Sequence, residues 1–190
     1  MTRNIMIVGV GGQGTLLASK LLGRLLLGQG YDVKVSEVHG MSQRGGSVTT
    51  YVRYGDSVAS PVIDLGEADC ILSFEQLEAA RALPYLKKGG VIVTNTGKTA
   101  PMSVITGAMP YPENLLEKMR EKGAVVEALD ALPLAETAGS SKCVNVVLLG
   151  KLSGHFPEIP EDAWREALTA LVPAKLEEVN QKAFTLGREA

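Results

Sequence analysis

The tightest constraint on this chain is a glycine cluster, Gly9-Val10-Gly11-Gly12-Gln13-Gly14, set between an apolar run from Ile5 to Val8 and a leucine-rich stretch from Leu16 to Leu27. That order predicts strand, tight turn, helix. Gly9, Gly11 and Gly14 satisfy G-x-G-x-x-G, in which glycines permit the turn and let a ligand approach the backbone. The helix start then offers free N–H groups to an anion. With Gly12 and Gln13 this makes residues 9–14 a candidate cofactor-binding turn. Two readings stand side by side: an anion site, or glycines that only let the helix pack closely on the sheet. A Walker A loop is excluded, because Thr15 follows Gly14 directly where the lysine would be required.

A chain of 190 residues, 45% hydrophobic and 21% charged, suits one compact domain over 1–190. The formal net charge of −2 supplies no basic field of the kind nucleic acid or an anionic membrane surface requires. No apolar run approaches the roughly 20 residues of a membrane span, and no secretory leader pattern opens the chain, so the expected compartment is the cytoplasm. Cys70 and Cys143 each lie in an apolar run and are expected to be buried small hydrophobes. No four-cysteine set or Cys/His spacing proposes a cluster or a metal site, so any electron carrier must be borrowed.

After the first helix, Tyr31 to Glu37 predicts a second strand and completes a strand–helix–strand unit. Glu37 stands where dinucleotide-binding folds place the acid that takes a ribose hydroxyl, which starts an alternative reading as a free-standing dehydrogenase. Beyond Glu37 the chain departs from such a fold. His39 to Gly46 is a polar loop with three glycines, leading into Ser47 to Tyr54, a segment of strong β propensity. Ser57 to Ile63, interrupted by Pro61, reads as its hairpin partner. Arg44-Gly45-Gly46 joins a guanidinium to permissive backbone, suited to a phosphate or carboxylate, or else simply an ion-paired turn. Strands are then expected at 68–74, 91–94 and 124–129, and helices at 75–83, 113–121, 134–137, 142–152, 161–171 and 174–185. A long excursion runs from Thr96 to Pro112. The fold class is α/β: a three-layer, Rossmann-like, mostly parallel sheet with an inserted β-hairpin and a helical C-terminus.

No nucleophile–base set assembles, since the chain has two histidines, His39 and His155, and no G-x-S-x-G turn. His155 reads as a cationic helix end. His39 and Arg44 are the candidate catalytic residues, on a loop whose histidine could equally be structural. Ser140-Ser141-Lys142 reads as a helix N-cap. A domain with one candidate anion site and no complete catalytic apparatus points to a subunit.

The residues from Gly9 to Gly14, and above all the long segment Ser36-Glu37-Val38-His39-Gly40-Met41-Ser42-Gln43-Arg44-Gly45-Gly46-Ser47-Val48, resemble the gamma-type domain of 2-oxoacid:ferredoxin oxidoreductases. Within that family the likeness is to the beta subunit of the indolepyruvate type. It continues through Val52-Arg53-Tyr54-Gly55, Ser60-Pro61, Ala68-Asp69, Phe74-Glu75, Glu78-Ala79 and Arg81. Asn145, Leu149-Gly150, Asn180, Ala183-Phe184 and Gly187 extend it to the C-terminus. The resemblance implies an enzyme that decarboxylates a 2-oxoacid on thiamine diphosphate, passes two electrons through iron–sulfur clusters to ferredoxin, and releases the acyl group as a coenzyme A thioester. It implies further that thiamine diphosphate, its Mg and the clusters belong to an alpha-type partner subunit, with coenzyme A as co-substrate. The ligand-facing residues are then expected among Gly9, Gly11, Gly12, Gln13, Gly14, Glu37, Ser42, Arg44, Gly45 and Gly46.

Overall fold

A computed structural model describes residues 2–39 and 46–190. The apolar run at the start forms β1 (Arg3–Val10), and the leucine stretch forms α1 (Thr15–Gly28). The helix buries Ala18, Leu21, Leu22, Leu25 and Leu26, the helical spacing of one face. It ends at Gly30, whose φ of 85° takes the chain out of the helix. There follow β2 (Asp32–His39), β3 (Ser47–Gly55), β4 (Ala68–Ser73), α2 (Gln76–Ala82) and β5 (Leu86–Asn95). The excursion carries the short α3 (Met102–Ile105) and leads to α4 (Leu115–Glu121) and β6 (Val125–Leu129). The remainder is helical: α5 (Ala131–Ala138), α6 (Val144–Ser153), α7 (Glu161–Thr169) and α8 (Glu177–Glu189).

The six strands lie in the order β2-β3-β1-β4-β5-β6. β1, β4, β5 and β6 are parallel to one another, while β3 runs against both of its neighbours, β1 and β2. The sheet is therefore mostly parallel and buried between two helical layers, as a parallel sheet requires. Alternation along β1 divides the core. Ile5 and Ile7 face the layer containing α1 and α5 to α8, and Met6 and Val8 face α2 and α4.

Two local expectations are corrected. The inserted hairpin exists, but the partner of β3 is β2, paired from Asp32↔Gly55 to His39↔Val48, and not residues 57–63. Residues 57–63 form no strand because side chains satisfy their backbone. Val58 N–H donates to the Asp32 carboxylate (2.8 Å), and Arg53 Nη1 donates to the carbonyls of Ser60 (3.1 Å) and Val62 (2.7 Å). Pro61, with no N–H, cannot join a ladder. Second, β5 begins at Leu86, five residues before the expected Val91, because the Lys87-Lys88-Gly89-Gly90 segment is absorbed as an irregularity in its pairing with β4.

Helices α6 and α8 pack closely because both carry glycine at the crossing. A Cβ on Gly150 would fall 2.1 Å from the Phe184 carbonyl oxygen, and one on Gly187 would fall 1.8 Å from that of Val147. Gly187→Ala gains roughly 1 kcal/mol of helix propensity but forces two backbones apart, so a net loss of about 2 kcal/mol is expected in chemical denaturation. Gly28→Ala, with nothing within 4 Å, should be neutral or stabilising. Equal effects of the two changes would show that the crossing can relax.

Three carboxylates tie elements together and are held below their usual range. Asp32 is held by Lys34 and then by Val58 N–H, and Glu161 by Arg165, with Arg188 adding to it. Burial alone would raise Glu127, but His155 (3.2 Å) and Lys151 (3.4 Å) outweigh it. A carboxylate depressed on folding contributes stability above its unfolded pKa of about 4 and loses it as pH falls through the folded value. The thermal midpoint should therefore decline on acidification below about pH 4, and Glu161→Gln should flatten that acid limb. A midpoint that rises on acidification would contradict this.

Candidate functional site

The C-terminal ends of β1, β4 and β5 open on one edge of the sheet, the position where α/β folds bind ligands. There Val10 N–H donates to Gln13 Oε1 (2.7 Å) and Gln13 N–H to the Val10 carbonyl (3.1 Å), locking the glycine turn. Gly11 N–H donates to the Gly46 carbonyl (2.9 Å), so Gly46, the residue that enters β3, lies against the turn. Of the four N–H groups from Gly11 to Gly14, those of Gly11 and Gln13 are thus engaged, and those of Gly12 and Gly14 donate to no described residue.

Each glycine has its own reason. A Cβ on Gly9 would meet Gln13 Oε1 at 2.9 Å and Phe74 at 3.2 Å. One on Gly14 would strike Asn145 Nδ2 at 2.2 Å, whereas nothing lies within 4 Å of Gly12. Gly12 and Gly14 have φ of 96° and 92°, which L side chains rarely adopt. Gly9 and Gly14 therefore do serve close packing, and the part of the turn that lines open space narrows to Gly12 and Gln13, with the N–H of Gly14 unengaged.

Asn145, at the start of α6, is 6% exposed. Its Oδ1 accepts from Val146 N–H (3.0 Å), and its Nδ2 finds no acceptor among the described residues. The apolar run that buries α6 carries this one amide to the edge of the sheet, opposite the start of α1. Ser140 Oγ accepts from Lys142 N–H (3.3 Å), the cap expected there, and sets the turn that leads into α6. Between the two helix starts lies a cleft of about 550 Å³ whose lining includes Gly12, Gln13, Phe74, Asn95, Lys142 and Asn145, with one carboxylate, Asp130. Asp130 offsets the charge of Lys142, so what suits the cleft to an anion is the two helix N-termini and the unengaged N–H groups of Gly12 and Gly14, with Lys142 beside them.

Its far wall is braced by Glu75, a buried carboxylate that the sequence alone leaves without a role. One oxygen accepts from Leu77 N–H (2.7 Å) and Glu78 N–H (3.0 Å), capping α2. The other accepts from Thr99 N–H (3.2 Å) and from the Tyr111 hydroxyl. Burial, then the contact with Glu75, pushes the Tyr111 phenol well above its usual range, so it keeps its proton and donates. Gln76 Nε2 holds the Thr96 carbonyl (2.8 Å), and Gln13 Nε2 reaches Thr99 Oγ1 (3.4 Å). Glu78 accepts from Ser47 Oγ and from Arg81 (2.6 Å), fixing the start of β3 to α2.

The other sequence candidates separate. Ser42, Arg44 and Gly45 lie outside the described residues, as does the His39 side chain, while Gly46 is at the turn. Glu37 accepts from Ser19 Oγ on α1 (2.9 Å) and stands level with Ile7 across β3. Two strand spacings of about 4.8 Å separate it from β1. It is therefore not beside the glycine turn, which removes the geometric basis of the dehydrogenase alternative. His155 is at the opposite end of the sheet, paired with Glu127. Both cysteines are buried, and burial pushes the Cys70 thiol up to about 12. Among the described residues no three His, Cys, Asp or Glu side chains gather to hold a metal ion. No helix of the described residues is long and apolar enough to cross a membrane.

Comparison with known proteins settles the family. The model for "Pyruvate ferredoxin/flavodoxin oxidoreductase" matches residues 4–190. The chain belongs to this family. It is 47% identical to the indolepyruvate oxidoreductase subunit IorB of Thermococcus kodakarensis, over 98% of this chain and 95% of the relative. In fold it resembles the gamma subunit of a keto/oxoacid ferredoxin oxidoreductase from Geobacter sulfurreducens (TM-score 0.72, 24% identity, 98% and 96% of the chains covered). It also resembles 2-oxoglutarate:ferredoxin oxidoreductase from Magnetococcus marinus, solved with 2-oxoglutarate, coenzyme A and succinyl-CoA (TM-score 0.74, 20% identity). That match covers 99% of this chain and 30% of the larger one. Membership in the family agrees with the resemblance carried by the glycine turn and the segment from Ser36 to Val48.

The contact between Gly14 and Asn145 is directly testable. Gly14→Ala adds a left-handed backbone cost of about 1–2 kcal/mol and displaces the amide, whereas Gly12→Ala carries the backbone cost alone. Gly14→Ala should therefore be the more destabilising, and combining it with Asn145→Ala should recover part of the loss in a double-mutant cycle. Strict additivity would place Asn145 elsewhere.

Proposed function

We propose that this chain is the gamma-type subunit of a 2-oxoacid:ferredoxin oxidoreductase acting on aryl pyruvates such as indolepyruvate, and that its cleft takes the phosphate-bearing end of coenzyme A. The observation that carries this reading is Asn145, a 6% exposed residue on the wall of a cleft between two helix starts, whose amide nitrogen lies against Gly14 with no acceptor among the described residues. The aryl pyruvate assignment rests on the likeness to the indolepyruvate subunit across nearly the whole of both chains.

Thiamine diphosphate, its Mg and the iron–sulfur clusters belong, in this reading, to an alpha-type partner subunit, which hands electrons to ferredoxin. The donor sets of this chain do not fit a cluster: its two cysteines are buried in separate elements, β4 and the turn before α6. Its own work is to bind and orient. Lys142 supplies charge, the N–H groups of Gly12 and Gly14 and the Asn145 amide supply donors, and Phe74 an apolar wall. The loop from Glu37 to Gly46, whose end at Gly46 lies on the glycine turn, stands at the junction with the partner, with Arg44 and His39 as its reactive side chains.

Co-expression with the thiamine- and cluster-bearing subunit, followed by viologen-dye assays over a panel of 2-oxoacids, tests the reading. Coenzyme A-dependent reduction fastest with indolepyruvate is expected, with no activity from this chain alone. Asn145→Ala and Lys142→Ala should each raise KM for coenzyme A about tenfold, the scale of one charge-assisted contact. Activity of the isolated chain, or a clear preference for pyruvate or 2-oxoglutarate, would overturn the assignment.

A further inference from the structure

Glu75 is 1% exposed, and its role as the cap of α2 accounts for only one of its two oxygens. The second has no partner on α2. It is held by Thr99 N–H and the Tyr111 hydroxyl, two points of the excursion that separates β5 from α4. Between them the chain exposes Met102, Ile105 and Met109. Residues 97–110 make no strand pairing, so the excursion has little core of its own to fix its position. Its root, Gly97, lines the cleft, and Thr99 also receives the Gln13 side chain from the glycine turn. A single carboxylate thus joins α2, both ends of the excursion and, through Thr99, the turn.

We infer that Glu75 is a positioning residue for the cleft: its second oxygen holds the excursion from Thr96 to Tyr111 as a strap, and Thr99 passes that constraint to Gln13 in the glycine turn. Held in place, the strap sets the wall at Gly97 against Asn145 and Lys142. Released, it widens the cleft and frees Gln13 Nε2, while Gln13 Oε1 stays on Val10 N–H. A ligand that needs both walls then binds less tightly, while chemistry on the partner subunit proceeds as before once the ligand is bound. By linkage, a ligand in the cleft tightens the strap by the same factor. The functional half of this inference rests on coenzyme A being the ligand; the structural half does not.

Four forms of the full chain separate the roles. Tyr111→Phe removes one strap bond and leaves the α2 cap intact. Glu75→Gln replaces an acceptor shared by several donors with a group that also donates, and Glu75→Asp keeps the charge on a shorter arm. Hydrogen exchange by mass spectrometry should show residues 97–111 exchanging about tenfold faster in Tyr111→Phe and Glu75→Gln, with β1, β4 and β5 unchanged and Glu75→Asp nearer to the parent. In the assembled enzyme, Glu75→Gln should raise KM for coenzyme A several-fold with kcat within about twofold, and Glu75→Asp should restore part of it. Parent-like exchange over 97–111 in both Tyr111→Phe and Glu75→Gln, or acceleration spread evenly over the whole sheet, would overturn the strap. A loosened strap with unchanged KM would overturn its role in binding. If the parent complex shows no dependence on coenzyme A, the proposed ligand falls, and the exchange data still decide the strap.

Discussion

The antiparallel ladder between β3 and β1, paired continuously from Arg3↔Tyr54 to Val10↔Ser47, is the constraint on which the site depends. By occupying the edge of β1, it moves β2 one strand outward and carries Glu37 away from the glycine turn. The same ladder brings Gly46, the residue that enters β3, onto Gly11. A glycine motif that in a dinucleotide-binding fold would have an acid on the neighbouring strand here has the start of the antiparallel β3 instead. One strand insertion thus alters what the motif can recognise without altering the motif.

The helical layer supplies the other half of the site. α6 is buried on nearly all sides, between the sheet and α8, and Gly150 and Gly187 let it lie close to α8. This fixes where its N-terminus falls. Because Gly14 has no side chain, Asn145 can come against the turn of α1, and two helix starts face one cleft. Close packing and ligand binding are therefore not competing explanations of the glycines. The missing Cβ atoms at 9 and 14 admit Gln13, Phe74 and Asn145, and those side chains in turn shape the space beside Gly12.

Polar groups at the opposite edge serve a different purpose. His155, Glu127 and Lys151 join the end of α6 to β6, and Glu161, paired with Arg165 on its own helix, joins α7 to Arg188 of α8. These pairs are partly exposed and individually contribute little at neutral pH. Their value is orientational, holding helices whose apolar faces would tolerate small rotations. Glu75 differs because it is buried and its four donors come from two separate segments, so water cannot substitute for them without opening the cleft.

The α/β class, the first strand–turn–helix, the buried cysteines and the subunit family were all legible in the linear chain. They depend on short-range periodicity, on glycine spacing, or on a contiguous segment such as Ser36 to Val48. Strand order was not legible. Residues 57–63, even with Pro61 among them, and β2 both offer partners for β3 by propensity, and the side-chain bonds of Asp32 and Arg53, made across the fold, decide against the first. Asn145 had a faint signal as a lone amide in an apolar run, and Glu75 as an acid directly after a buried strand. Neither could be assigned a role, because the partners of Glu75 lie up to 36 residues away and Asn145 meets a glycine more than a hundred residues earlier. Local chemistry determined which elements form; which polar groups meet at the cleft was decided by packing of strands and helices distant in sequence, a matter of three-dimensional close contact that no local pattern encodes.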